Sequence, residues 1–460
     1  MLQRSVVPCE SMRVLVMVLL ASISAPTVAA SATTLPAVLA RVYEQSPLLA
    51  AARADLRALD EQSPIARAGR RPSIGLTSST GMIVKGTGDT PDGAHAGRAG
   101  LFLEQPIYTG GRASSAIEQA RRQVERARAE LDAREQDVLL SAVNAYLAVI
   151  SADRRMALAT ANEQRSQRIL ANARDRYRLG GSTSTDVALA EAHLEETRAD
   201  REALRAVQAA ARADFAAIVG EEPENLEAAG RPGELPRDVG ELRARVEDHP
   251  ALHAAMLAVS VAESTIEIAR SASASSMTFN GEASYVDQPG QTSGFEPQVR
   301  VGVSFEWPLY RGGGDFARER QARQAMVARE HDVNAVRRRL DAELLSARAA
   351  AESARLRRVS LEARRRAERM AIDGLQQEAM LGLVGMTEVL DAEENLFETE
   401  VDLELVAHEE IFAEYRLIAA TGGLLARRLG LDVVLYEPDD HFQEVQSKWF
   451  GKTVDDETGN

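Results

Sequence analysis

The sequence predicts an α+β membrane protein built from two internal repeats, each joining a β-hairpin to a very long helix. Three observations carry that prediction. The stretch "EQPIYTGGR" at Glu104 returns as "EWPLYRGGG" at Glu306, 202 residues later in a chain of 460. After each copy, glycine and proline become rare: none occurs from Arg112 to Leu179 or from Asp315 to Asp373. Before each copy, apolar and polar residues alternate with the period of a strand.

The elements follow in order. Arg4 and Arg13 precede the apolar run "VLVMVLLASISA", and "VAA" at Val28–Ala30 offers a signal peptidase its small residues, so residues 1–30 read as a signal peptide. A membrane anchor is the alternative, but the run is short for a bilayer. Cleavage there removes Arg4, Glu10 and Arg13, a net +1, and takes the formal charge from −15 to −16. It also removes Cys9, the single cysteine, and with it any disulfide or thiol chemistry. The acidic balance argues against nucleic acid, whose phosphates need a basic surface. After residue 30 the reading finds no apolar stretch of eighteen residues.

The first repeat is expected over 31–219: a helix, a hairpin at about 73–108, a long helix 112–179 and a returning helix 185–219. Residues 220–240, rich in Gly and Pro, form a linker. The second repeat spans 241–425, with a hairpin at about 277–310, a long helix 314–380 and a returning helix 387–421; residues 426–460 are a tail. A breaker-free run such as 112–179 would make a helix on the order of 100 Å long. Its Ala113, Ile117, Ala120, Val124, Ala127 and Leu131 trace a heptad seam. "SPLLAAARADL" at Ser46 has a looser echo in "HPALHAAMLAV" at His249, and "LGGSTSTDV" at Leu179 in "LGLVGMTEV" at Leu381.

In "QVRVGVSFEWPLY", Val299, Val301, Val303, Phe305 and Trp307 share one face, while Arg300, Gly302, Ser304 and Glu306 share the other. Strands of this length and alternation suit a transmembrane barrel, although a half-buried soluble hairpin would alternate in the same way. Closure separates the two. Four strands leave open edges, and an open edge in lipid leaves backbone groups unpaired at several kcal/mol each. Three chains would supply twelve strands, with the long helices closing into a tube below.

At these residues the chain resembles the TolC family of outer-membrane channel proteins. The doubled hairpin exits and helical turns carry the resemblance, and the end "YRLIAATGGLLARRLGLDVVLYEPDDHFQEVQSKWFG" is similar to its type I secretion branch. The resemblance implies a homotrimer with a twelve-stranded outer-membrane barrel and a periplasmic helical barrel. It implies an exit duct for secreted protein or small toxic molecules, with a periplasmic adaptor and an inner-membrane ABC or proton-driven transporter as partners. The sequence departs from the family where Met380 and Val384 stand in place of an aromatic and a basic residue that hold the entrance closed.

The candidate sites follow. Leu179, Gly180, Gly181, Thr185, Asp186, Leu381, Gly382, Leu383 and Thr387 are expected to form a tip that docks the adaptor; the alternative is that the glycines only reverse the chain. Glu388 and Asp391 share one helical face, and by the resemblance three copies would ring the entrance with six carboxylates. Alternatively they are first-turn acids beside a capping Thr387, a reading that suits Asp186 well. Val299, Val301, Val303, Phe305 and Trp307 would meet outer-membrane lipid. No catalytic, cofactor or metal site is expected. "TGGR" and "RGGG" lack the lysine of a P-loop. His249 and His253 lie four apart without a third ligand, which favours exposed helix polarity over zinc. A periplasmic coiled-coil adaptor or scaffold is the rival class, and it leaves the matched hairpins unexplained.

Overall fold

The computed structural model describes residues 33–87, 92–232, 238–287 and 296–451. The expected signal peptide lies outside the described residues, as do parts of the strand connections, of the linker and of the tail. The elements run α1 (Leu35–Gln45), α2 (Pro47–Asp60), α3 (Gln62–Ala68), β1 (Ser73–Ile83), β2 (Ala94–Tyr108), α4 (Arg112–Arg178) and α5 (Ser184–Val219). A second series repeats the plan: α6 (Val239–Val246), α7 (Pro250–Ser271), β3 (Ser276–Asp287), β4 (Glu296–Glu306), α8 (Gly314–Met380) and α9 (Met386–Ala420). Two short helices, α10 (Ala426–Leu429) and α11 (Pro438–Val445), follow.

Four glycine pairs set the repeat. Gly110 and Gly312, Gly111 and Gly313, Gly180 and Gly382, and Gly220 and Gly422 all have positive φ. Members of each pair stand 202 residues apart. They mark the strand-to-helix exit, the helical turn and the end of the returning helix, places where the chain needs a left-handed residue. The fourth pair lies outside the repeated motifs legible in the sequence. Where the sequence predicts one helix before each hairpin, prolines divide that region. Ser46 and His249 are extended (ψ 121° and 130°) because Pro47 and Pro250 follow them, so the "SP" and "HP" echo is a repeated helix break.

The second ladder ends at Glu306 rather than near 310, since Pro308 has no N–H to contribute. Pro106 is accommodated in β2 by a register shift before Tyr108. The strands form one antiparallel sheet in the order β1-β2-β3-β4, so the two hairpins pair through β2 and β3.

The main core gathers at mid-height, where α4 meets α1 and the ends of α5 and α9. Leu39, Val42, Leu139, Val143, Tyr146, Phe215 and Leu424 are all buried there. The Tyr146 hydroxyl sits 2.6 Å from the Glu227 carbonyl oxygen and 2.9 Å from that of Thr33, tying the linker to the start of the described chain. Burial pushes this phenol up to about 12. A second core of Leu242, Val246, Leu252, Leu340 and Leu344 is the counterpart in the other repeat. The heptad seam of α4 is buried at Ala113, Ala120, Val124, Ala127 and Leu131, and again at Val138, Ala142, Ala145 and Val149. By contrast α8 buries only Asp315, Ala322, Leu340, Leu344, Ala347, Ala354 and Ile372, leaving Leu345, Leu356, Val359 and Met370 exposed.

Two expectations are corrected here. Helix α7 does contain an 18-residue window apolar enough for a membrane, with a mean hydropathy of 1.3. It packs against α4 and α8 in the helical body. Its alanines and small residues suit close helix contact, and their apolar sum mimics a span. Also, His249 is buried (8% exposed) rather than part of an exposed polar face. It caps α7: Nδ1 accepts from the Ala251 N–H at 3.1 Å, and Nε2 lies 3.2 Å from the Ala419 carbonyl oxygen, to which it donates. That neutral tautomer is satisfied on both nitrogens, and burial drives its pKa down to about 4 from 6.5.

Because the folded pKa is depressed, the unfolded chain takes up the proton first on acidification. Stability is unaffected above pH 6.5 and falls between about 6.5 and 4. The loss should reach on the order of 3 kcal/mol per protomer by pH 4. Urea unfolding at pH 7.5 and 4.5 checks this: His249→Asn, which can still cap, should be less stable at the higher pH and lose less between the two. An equal pH dependence in both proteins would contradict it.

Candidate functional site

The sheet has two chemically distinct faces. Register places Ile74 opposite Leu103 and Leu76 opposite Leu101. It continues with Leu101 opposite Ala283 and Leu103 opposite Gly281, then Phe279 opposite Val303 and Met277 opposite Phe305. All of these fall on one side. On it Val299, Val301, Val303 and Phe305 are exposed, and Trp307 is exposed just beyond the ladder (77, 70, 57, 60 and 60%). The opposite side holds Arg98 at 3.3 Å and Arg300 at 4.0 Å from the two oxygens of Glu282. Phe102 breaks its polarity and packs over Gly75, where a Cβ would lie 2.4 Å from the ring. Among the described residues, β1 and β4 each have a strand neighbour on one side only.

The two helical turns lie together at the far ends of α4 and α8. They line one cleft through Arg176, Gly180, Gly181, Thr183, Asp186, Gly382, Val384 and Gly385. Leu179, Leu381 and Leu383 project from it, exposed, as does Met380. Thr183 and Asp186 make a capping box on α5, and Thr185 sits inside the first turn. The Thr183 N–H and the Ser182 and Thr183 hydroxyls all donate to Asp186, holding its carboxyl below the usual carboxylate range. Thr387 does not cap α9. Gly385 is the N-cap, extended and without a side chain, and the Glu388 carboxylate folds back over it, 2.9 Å from where a Cβ would stand. The second turn, where Met380 and Val384 stand, is tied from the other repeat. The Arg176 guanidinium donates to the Ala379 carbonyl at 3.1 Å and to that of Gly181 at 3.3 Å. The sequence offered no signal for this contact beyond a basic residue near a helix end.

Glu388 and Asp391 are both exposed. They begin a stripe that continues through Asn395, Glu398 and Asp402 at spacings of three and four, also exposed and not singled out from sequence. Buried carboxylates on the opposite side fix the rotation of α9. Glu393 lies 3.5 Å from Arg165 and accepts from Gln376 at 3.0 Å. Glu400 pairs with Arg369 at 2.5 Å, and Glu410 with Arg358 at 2.6 Å and with Arg231. Charges this deep are retained only with partners, so α9 cannot turn without exposing or orphaning them. Glu394 faces α5, where burial, then Asp200, Glu196 and Glu398, push its carboxyl up to about 7. Among the described residues no cluster of three or more His, Cys, Asp or Glu could hold a metal ion.

The sequence matches the family described as "Outer membrane efflux protein" over residues 38–221 and 243–423, one segment for each repeat. The chain belongs to that family. It is 31% identical over 440 residues to the outer membrane efflux protein BepC of Brucella suis, covering 93% of this chain and 94% of that one. It is 25% identical to the outer membrane protein TolC of Vibrio cholerae, covering 84% and 91%. Among solved structures, CusC superposes with a TM-score of 0.77 at 18% identity (85% and 93% covered), and VceC of Vibrio cholerae with 0.72 at 20% (84% and 96%). These structures share the fold. The chain is therefore an outer-membrane exit duct that extends into the periplasm, and the scaffold reading is set aside. The family is a channel family rather than an enzyme family.

Proposed function

We propose that three copies close one duct. Their sheets join β1 of one protomer to β4 of the next as a twelve-stranded barrel, and α4, α5, α8 and α9 form the periplasmic tube. The observation that carries this is a sheet with an apolar exposed face and two open edges, continuous with helices whose far ends expose a second apolar surface. Lipid would cover the first surface through Val299, Val301, Val303, Phe305 and Trp307. An adaptor would dock the second and couple the duct to an inner-membrane ABC or proton-driven transporter. That transporter selects the cargo, whether secreted protein or small toxic molecules, and Glu388 and Asp391 ring the entrance.

Gly181 and Leu383 allow the docking surface to be tested without damage to the fold. A Cβ at Gly181 would make ordinary contact with the Arg176 carbonyl oxygen at 3.7 Å, and its φ is not positive, unlike that of Gly180. Leu383 is 71% exposed. Gly181→Leu and Leu383→Asp should leave oligomer and membrane insertion intact and abolish export in cells. Full export by both variants would reduce the turns to chain reversals.

A further inference from the structure

Near its end, the described part of the C-terminal tail carries two aromatic residues that no core receives: Trp449 is 59% exposed and Phe450 is 88% exposed. Their height on the molecule is fixed by Arg71. Its guanidinium carbon lies 4.5 Å from the centre of the Trp449 ring, and it donates to the Lys448 carbonyl at 2.7 Å and the Ser447 carbonyl at 3.3 Å. Arg71 stands two residues before β1 begins at Ser73, and Gln105 of β2 donates to the neighbouring Arg70 carbonyl at 2.9 Å. The aromatic pair is therefore level with the helix-side rim of the sheet. That rim already exposes Tyr108, Trp307, Leu309 and Tyr310. Membrane barrels carry belts of aromatic residues at such a rim, where rings sit among lipid headgroups.

The tail is clamped in this position. His441 Nδ1 lies 2.9 Å from the fully buried Asp60, Arg128 pairs with Asp439 at 2.6 Å, and Arg67 donates to Gln446 at 3.2 Å. Val445 is buried, and Phe442 lies under Arg128. Three elements, α2, α3 and α4, thus hold α11 so that the chain climbs from mid-height and brings Trp449 and Phe450 to the rim. We propose that Trp449 and Phe450 insert into the periplasmic leaflet of the outer membrane, extending the aromatic rim of the sheet and anchoring the tail to phospholipid. Their level with the exposed Tyr108, Trp307, Leu309 and Tyr310 of the rim selects lipid as the occupant, and large amphipathic rings suit the headgroup boundary.

The proposal rests on the lipid-facing reading of the sheet, and the chain's two tryptophans separate the two ideas. The full-length protein is reconstituted in vesicles of phosphatidylethanolamine and phosphatidylglycerol, with and without acyl chains brominated near the headgroup. Trp449→Phe leaves only Trp307, and the difference from the parent protein reports Trp449. Trp449 emission should be blue-shifted and lose intensity in the brominated vesicles. Red-shifted, unquenched emission from Trp449 with quenched Trp307 would overturn the anchor and leave the barrel standing. Blue-shifted but unquenched Trp449 would mean a second copy covers it, and would also overturn the anchor. If Trp307 itself escapes quenching, the sheet reading fails first. Trp307→Phe provides the direct measurement of Trp449 alone.

Discussion

Val301→Arg is expected to cost the assembled duct on the order of 6–12 kcal/mol, taking about 2–4 kcal/mol for each of three arginines at mid-membrane. Gly302→Arg, one residue further along β4, is expected to be tolerated. Val301 lies midway along the strand, opposite Gly281, on the face shared with Phe305. Gly302 points to the charged face with Arg300 and Glu282, and nothing lies within 4 Å of a Cβ built there. The contrast removes general effects of adding an arginine to a strand, because only the side of the sheet differs. Outer-membrane yield of folded oligomer should collapse for Val301→Arg and stay near that of the parent for Gly302→Arg. Equal yields would mean that neither face meets lipid.

The second large effect concerns the entrance. Glu388→Ala with Asp391→Ala should abolish cation preference and block by multivalent cations in bilayer recordings. Both side chains are exposed, and the clamped carboxylates on the other side of α9 keep them so. In the proposed trimer six such carboxylates would share a narrow opening, where confinement focuses a field that attracts cations and repels anions. Unchanged selectivity in the double variant would leave Glu388 and Asp391 as first-turn acids that favour the helix dipole.

Much of this fold was legible because its punctuation is backbone chemistry. Glycines needing positive φ and prolines lacking an N–H stand at most of the major boundaries, and no tertiary contact is required to read them. The strand faces were legible for a related reason, since a period of two assigns each side chain to a side. What escaped the reading depends on rotation and proximity across helices. Nothing local distinguishes Arg176 from its neighbours Arg174 and Arg178, yet it alone among the three bridges to the Ala379 carbonyl. His249 looked exposed because a helix N-terminus usually is, whereas α9 covers it from 170 residues away. The Arg71–Trp449 contact joins positions so distant in sequence that no periodicity connects them.

The central claim is that one chain is an incomplete channel. Among the described residues its sheet has the unpaired edges β1 and β4, and α8 carries an uncovered stripe of Leu345, Leu356, Val359 and Met370. Both defects are removed at once when copies stand side by side, and in lipid the edges must be closed. The most direct measurement is the protein mass of the complex purified in mild detergent, by native mass spectrometry or light scattering with the detergent subtracted. The result expected is three chains and no smaller species at working concentrations. A stable monomer or dimer that still conducts in bilayers would contradict the account.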